Sequence, residues 1–220
     1  MHKTYGHLSR FVHYSGLAIV AIVVMGHSIG SIAQDEALRI IAFGDSLTAG
    51  YLLPSNAAFP NVLERRLRAS GTNVNVINAG VSGDTASNGA ERLDWAIGDR
   101  ADGLILELGA NDMLRGLDPD ITYRALTDIV VRSKKKGLKV LLIGMVAAPG
   151  LGREFENRFN GIFPRIAREQ EVPLYPFFLE GVAGNPKLLL QDGLHPTAAG
   201  VESIVDAMLP TVKEFVASIR

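Results

Sequence analysis

An α/β domain of three layers, with helices on both faces of a five-stranded parallel sheet, is the fold the sequence predicts, and three observations predict it. From Leu38 onward, short apolar runs alternate with amphipathic stretches, and strands that alternate with helices build a parallel sheet covered on both sides. No segment repeats at a fixed period, and no low-complexity tract or Pro/Gly/Ser-rich linker divides the chain. The 220 residues, 47% hydrophobic and 20% charged, supply one core and little material for a second.

The first strand is expected at 38–43 (LRIIAF), followed by a helix near 60–70 and a second strand at 73–78 (NVNVIN). A helix near 86–97 leads to the third strand at 103–108 (GLILEL), and a helix near 119–136 to the fourth at 138–144 (LKVLLIG). Lys134, Lys135 and Lys136 stand in the last turn before Gly137, where cations complement the helix dipole and glycine accepts a left-handed cap. In 153–170, Phe155, Phe159, Ile162, Phe163 and Ile166 fall at helical spacing and predict a single helix with a core-facing stripe. A fifth strand at 172–175 (VPLY) and a final helix near 197–218 complete the domain.

Residues 1–33 stand apart from this pattern. Lys3 and Arg10 precede the apolar run Leu17 to Met25, and Ser31-Ile32-Ala33 follows, which predicts a secretory signal cleaved after Ala33. An uncleaved anchor is the alternative, but the strictly apolar run is nine residues, and a spanning helix needs about 20. The expected product is exported, to the periplasm first of all, with secretion or N-terminal anchoring as alternatives and no stable membrane insertion after cleavage. The remaining chain carries 20 basic against 23 acidic side chains, a balance that points away from nucleic acid. Cysteine is absent, which excludes disulfides, Cys metal sites and a Cys nucleophile. Of five histidines, His2, His7, His13 and His27 lie in the leader, so a processed protein keeps only His195. The sequence assigns no oligomeric state.

In an open parallel sheet, ligands bind beyond the carboxyl ends of the strands. Four polar clusters follow expected strands or precede the last helix, and they should meet on that edge: Gly44-Asp45-Ser46, Ser82-Gly83-Asp84-Thr85, Gly109-Ala110-Asn111-Asp112 and Asp192-Gly193-Leu194-His195. Ser46 has two readings, an N-cap for the turn that follows or a nucleophile. Asp192 and His195 are spaced so that a carboxylate can reach Nδ1 and leave Nε2 as a base, or they form an Asp-Gly turn before a helix. Asn111 is an Asx turn or an oxyanion donor, and Gly83 a left-handed turn or an unobstructed amide. Thr48 stands where G-x-S-x-G requires glycine, and neither G-x-G-x-x-G nor a P-loop lysine occurs.

The ordered set GDSL (44–47), SGDT (82–85), GAND (109–112) and DGLH (192–195) resembles the GDSL or SGNH hydrolase family from about Leu38 to the C-terminus. "GDSLTAGY", "ELGANDMLRG" and "VPLYPFF" are similar to its branch of small periplasmic enzymes with thioesterase, arylesterase and lysophospholipase activity. The resemblance implies a flavodoxin-like strand order and a serine esterase that forms an acyl-enzyme on Ser46. It also implies Asp192 and His195 as orienter and base, and Ser46 N–H, Gly83 N–H and Asn111 as oxyanion donors. Gly80 is a rival to Gly83. No cofactor or metal is expected. The segment 113–116 resembles a mobile loop at the acyl site, although Ala110 and Met113 stand where that branch is expected to have glycines. Met113, Leu114, Met145, Val146, Leu151 and Phe155 are candidates to line an acyl groove. The expected substrate is a small-molecule or lipid acyl ester or thioester. A short-acyl carbohydrate esterase and a non-catalytic exported binding module are the alternatives.

Overall fold

The computed structural model describes residues 1, 2, 6 and 36–219, so the expected signal segment lies outside the described residues. The chain divides into two units, Met1–Gln34 and Asp35–Arg220, and the second holds the fold. Five parallel strands, β1 (Leu38–Gly44), β2 (Val74–Gly80), β3 (Gly103–Glu107), β4 (Lys139–Ile143) and β5 (Leu174–Tyr175), lie in the order β2-β1-β3-β4-β5. That is the flavodoxin-like order. In β1, β3 and β4 the residues Ile40–Phe43, Leu104–Leu106 and Val140–Ile143 are buried without alternation, as strands covered on both faces must be. β2 lies at one edge and alternates instead, with Val74 and Val76 buried.

The helices are α1 (Ser46–Ala49), α2 (Phe59–Ala69), α3 (Ala86–Ile97), α4 (Ala110–Leu114), α5 (Pro119–Lys135), α6 (Arg153–Asn160), α7 (Ile162–Gln170) and α8 (Ala198–Ala217). α2 packs with α8, while α3 packs with α5 and α5 with α7, giving the two outer layers. Their starts follow local chemistry: Thr85 and Asn88 form a capping box on α3, Asp118 and Thr197 cap α5 and α8, and Pro119 opens α5. At the end of α5, Lys134 donates to the Gln170 carbonyl and Lys136 pairs with Asp94.

Two expectations need correction. The single helix at 153–170 is two helices broken at Gly161. Pro164 has no N–H to offer the Asn160 carbonyl four residues back, and its ring crowds that carbonyl, so the helix restarts. The expected loop at 113–116 is helical as far as Leu114, with Met113 buried in the core. The small residue Ala110 opens that helix.

Strand register places the site. Gly80, Gly44, Glu107, Ile143 and Tyr175 form one row across the sheet. Each polar cluster that follows a strand begins within a few residues of this row. The chain switches direction between β1 and β3, the crevice where ligands bind in this topology.

Candidate active site

β1 ends in a glycine because nothing larger fits. A Cβ on Gly44 would lie 2.1 Å from Thr48 Oγ1 and 2.5 Å from the Glu107 carbonyl oxygen. The next residue, Asp45, caps α1 by accepting the Leu47 N–H at 3.0 Å. The capping role considered for Ser46 therefore falls to Asp45, and Ser46, the first helical residue, keeps its hydroxyl free for another partner.

That partner is His195, whose Nε2 accepts from Ser46 Oγ at 2.9 Å. On the other side of the ring, Nδ1–H donates to Asp192 Oδ2 at 2.7 Å. A carboxylate can only accept, so this contact fixes the tautomer and leaves the Nε2 lone pair toward Ser46. Asp192 is itself held by the backbone: Oδ1 accepts from the Leu194 and His195 amides at 2.9 and 3.0 Å, around Gly193 at φ 70°. These amides and the imidazole hold its carboxyl down to about 2. The loop closes on itself, since Leu190 N–H donates to the His195 carbonyl and Thr197 N–H to that of Leu188. The Tyr51 ring covers the imidazole at 4.4 Å between centroids.

Asn111 enters from the first turn of α4, after Gly109 at φ 118° turns the chain out of β3. Its Nδ2 donates to Asp45 Oδ2 at 3.2 Å and to the Asp84 carbonyl at 3.0 Å, tying the first three clusters together. The two rival glycines differ. The Gly80 amide donates to Asn78 Oδ1, and a Cβ there would fall 2.3 Å from the Ala49 nitrogen, so Gly80 serves close packing. Among the described residues the Gly83 and Ser46 amides have no acceptor. Gly83 sits at φ 89°, with only the Arg115 guanidinium 3.8 Å from where a Cβ would lie, and its carbonyl accepts from Arg115 at 2.8 Å.

Sequence reasoning missed two parts of this edge. Arg92 of α3 donates to the Gly44 and Ala79 carbonyls and to Asp84 Oδ2, stitching the ends of β1 and β2 to the turn that carries Gly83. An arginine inside an amphipathic helix gave no signal. Asp112, by contrast, stood in a noted motif; it is fully buried and accepts from Ala86 N–H and Thr122 Oγ1, so it holds helices rather than substrate.

A cavity of about 500 Å³ opens from Ser46 and His195. Met113, Leu114, Met145 and Val146 line it, as expected from the sequence. Leu151 and Phe155 do not: Leu151 is 42% exposed just before α6, and Phe155 stacks on Phe159 at 5.9 Å. Phe177, Leu179 and Leu189 take their place, from the segment after β5. The quoted string VPLYPFF contained that signal, an apolar run continuing past a short strand. Beyond Gly144 the cavity wall has no strand partner among the described residues. Side chains hold its amides instead, Ala147 N–H donating to Asn160 Oδ1 at 2.8 Å and Ala148 N–H to Met113 Sδ at 3.1 Å.

Among the described residues no three His, Asp or Glu side chains gather as a metal site. A serine hydroxyl on an imidazole, an ionised orienting carboxylate and free amides beside an apolar cavity can together perform acyl transfer.

Residues 42–202 match the GDSL-like lipase/acylhydrolase family. The arylesterase of Vibrio mimicus is 38% identical over 167 residues, covering 76% of this chain and 84% of its own. The thioesterase 1/protease 1/lysophospholipase L1 of Escherichia coli K12 is 34% identical over 178 residues, covering 80% and 84%. The crystal structure of AlinE4, an SGNH-hydrolase family esterase, is 43% identical with a TM-score of 0.69, covering 81% of this chain and 96% of that one.

Proposed function

The chain belongs to the GDSL-like lipase/acylhydrolase family and is an ester hydrolase; we propose that it cleaves acyl esters and thioesters through an acyl-enzyme on Ser46. The contact that carries this reading is Ser46 Oγ to His195 Nε2 at 2.9 Å, with Asp192 on the far nitrogen. His195 takes the Ser46 proton as Oγ attacks the carbonyl carbon. The tetrahedral oxyanion is held by Ser46 N–H, Gly83 N–H and the Asn111 amide, and Asp192 stabilises the imidazolium. His195 then gives its proton to the departing alcohol or thiol, and water, deprotonated at the same Nε2, releases the acid.

The apolar cavity supports medium to long acyl chains over acetyl. Its occupant is a small-molecule or lipid ester, and no nucleic acid takes part. We place the mature enzyme, from Gln34 onward, in the periplasm. The basic start, apolar run and Ser31-Ile32-Ala33 of the leader support this, and among the described residues no helix is long and apolar enough to cross a membrane.

Hydrolysis of p-nitrophenyl esters by the chain starting at Gln34, with Ser46→Ala as the blank, tests the chemistry. The variant should fall to background while folding normally. A variant with wild-type turnover would refute the Ser46 acyl-enzyme, and no turnover above background in either protein would favour a binding module on this fold. N-terminal sequencing of protein recovered from a periplasmic extract should begin at Gln34, and an intact Met1 there would overturn cleavage.

A further inference from the structure

Behind Ser46 lies a carboxyl pair that the acyl-transfer steps do not use. Asp45 and Glu107 are 0% and 1% exposed. Glu107 Oε2 accepts from Thr48 Oγ1 at 2.8 Å and from the Asp45 amide at 3.4 Å, while its Oε1 has no partner among the described residues. Burial raises both carboxyls, and the charge of Asp45 raises Glu107 further. Glu107, raised by both burial and its neighbour's charge, therefore keeps the proton, which leaves Asp45 as the carboxylate. Carrying a buried carboxylate is costly unless its lone pairs are used, and both oxygens of Asp45 are used. Oδ1 takes the Leu47 amide and Oδ2 the Asn111 side chain.

The second contact decides which way Asn111 faces. A side-chain amide is nearly symmetric in shape, so only its neighbours distinguish NH₂ from C=O. Both neighbours here are acceptors, Asp45 Oδ2 and the Asp84 carbonyl. A flipped Asn111 would set its own oxygen against a carboxylate and a carbonyl. The carbonyl of Asp84 alone would leave the amide free to rotate about that single contact.

We propose that Asp45 is a positioning residue for the reaction: its buried carboxylate, backed by Glu107 and Thr48, holds one hydrogen of the Asn111 NH₂ and so fixes which end of the amide is the donor, while the other hydrogen, given at rest to the Asp84 carbonyl, passes to the developing oxyanion. The proposal rests on the reading of Asn111 as an oxyanion donor. Asp45→Asn separates the two jobs of this side chain. Its Oδ1 still caps Leu47, but its NH₂ faces Asn111 and removes the acceptor that prevents the flip.

The test is a double-mutant cycle on p-nitrophenyl ester hydrolysis with the chain from Gln34. Asp45→Asn should lower kcat about 10- to 100-fold, the cost of a misaimed group, with KM within about twofold because the loss is confined to the transition state. In an Asn111→Ala background the same substitution should cost less than about threefold, since there is no amide left to aim. Full-sized, multiplicative losses in the double variant would overturn the proposal, as would wild-type kcat in Asp45→Asn beside a slow Asn111→Ala. A wild-type rate in Asn111→Ala itself would instead overturn the oxyanion reading on which this rests. Asp45→Ser, which keeps a capping oxygen and cannot reach Asn111 as a carboxylate does, repeats the cycle with the same outcomes if Asp45→Asn does not fold.

Discussion

The cavity beside Ser46 should set a measurable preference for acyl length. Its wall is Met113, Leu114, Met145, Val146, Phe177 and Leu179, with a volume of about 500 Å³. Each methylene moved from water into such a wall gains about 0.8 kcal/mol, or about fourfold in kcat/KM while room lasts. From acetyl to hexanoyl the four added methylenes amount to about 3.2 kcal/mol, a rise of roughly 200-fold. Ala147 gives a way to shorten the space: it lines the cavity, is 7% exposed, and its amide is anchored to Asn160. Ala147→Phe should remove most of the gain for hexanoyl and leave acetyl hydrolysis within about threefold, at an overpacking cost of about 1–3 kcal/mol visible as a lower Tm. The assay is kcat/KM across p-nitrophenyl esters from acetyl to palmitoyl for both proteins. A wild-type series that falls beyond acetyl would refute the acyl-cavity reasoning and favour a short-acyl carbohydrate esterase. Equal losses for acetyl and hexanoyl in Ala147→Phe would show that the alanine does not face the chain.

Three further outcomes test the site and its frame. Asp192→Asn should slow kcat by up to about 10⁴-fold, because an amide no longer selects the His195 tautomer; a loss under about tenfold would leave Asp192 a turn residue. Glu107→Gln should gain stability relative to wild type as pH rises from about 4 toward neutral. An unfolded glutamate releases its proton near pH 4.3, while burial keeps the proton on Glu107 in the folded chain. The native state then binds more protons, and wild-type stability declines with rising pH. Urea unfolding across that range checks this, and a constant difference between the two proteins would refute it. Gly80→Ala should cost about 1–3 kcal/mol in the same assay, since its Cβ would meet the Ala49 nitrogen at 2.3 Å; a neutral result would remove the packing reason for that glycine.

Much of this architecture was legible in the chain because its signals are local. The runs 38–43, 103–108 and 138–144 are apolar but for Arg39, Glu107 and Lys139, and the buried stretches of the strands built from them are covered on both faces. The motif residues Ser46, Asn111 and His195 were found because each follows or precedes a turn whose position can be read from glycines. What escaped was set by contacts between distant segments. Which residue caps α1 depends on the Asp45 carboxylate turning toward Leu47, although both Asp45 and Ser46 are good caps by type. The apolar stripe of 153–170 continues through Gly161, so the pattern concealed a break that Pro164 imposes on the backbone. Leu151 and Phe155 had the right chemistry for an acyl wall, but their direction is decided by where that second helix pair docks. Arg92 was invisible because its three partners come from strand ends and a turn.

That break reaches further than the helix it interrupts. Asn160, the last residue before the gap, spends its side chain on the amide of Ala147. One part of the cavity wall is therefore anchored by a helix that does not itself line the cavity. Substitutions along α7, or at Pro164 itself, should shift this anchor and with it the preferred acyl length, leaving the Ser46–His195–Asp192 contacts in place. A related enzyme could acquire a new diet by mutations far from its reacting atoms, and directed evolution for acyl length should find productive changes on that helix pair as well as in the cavity wall.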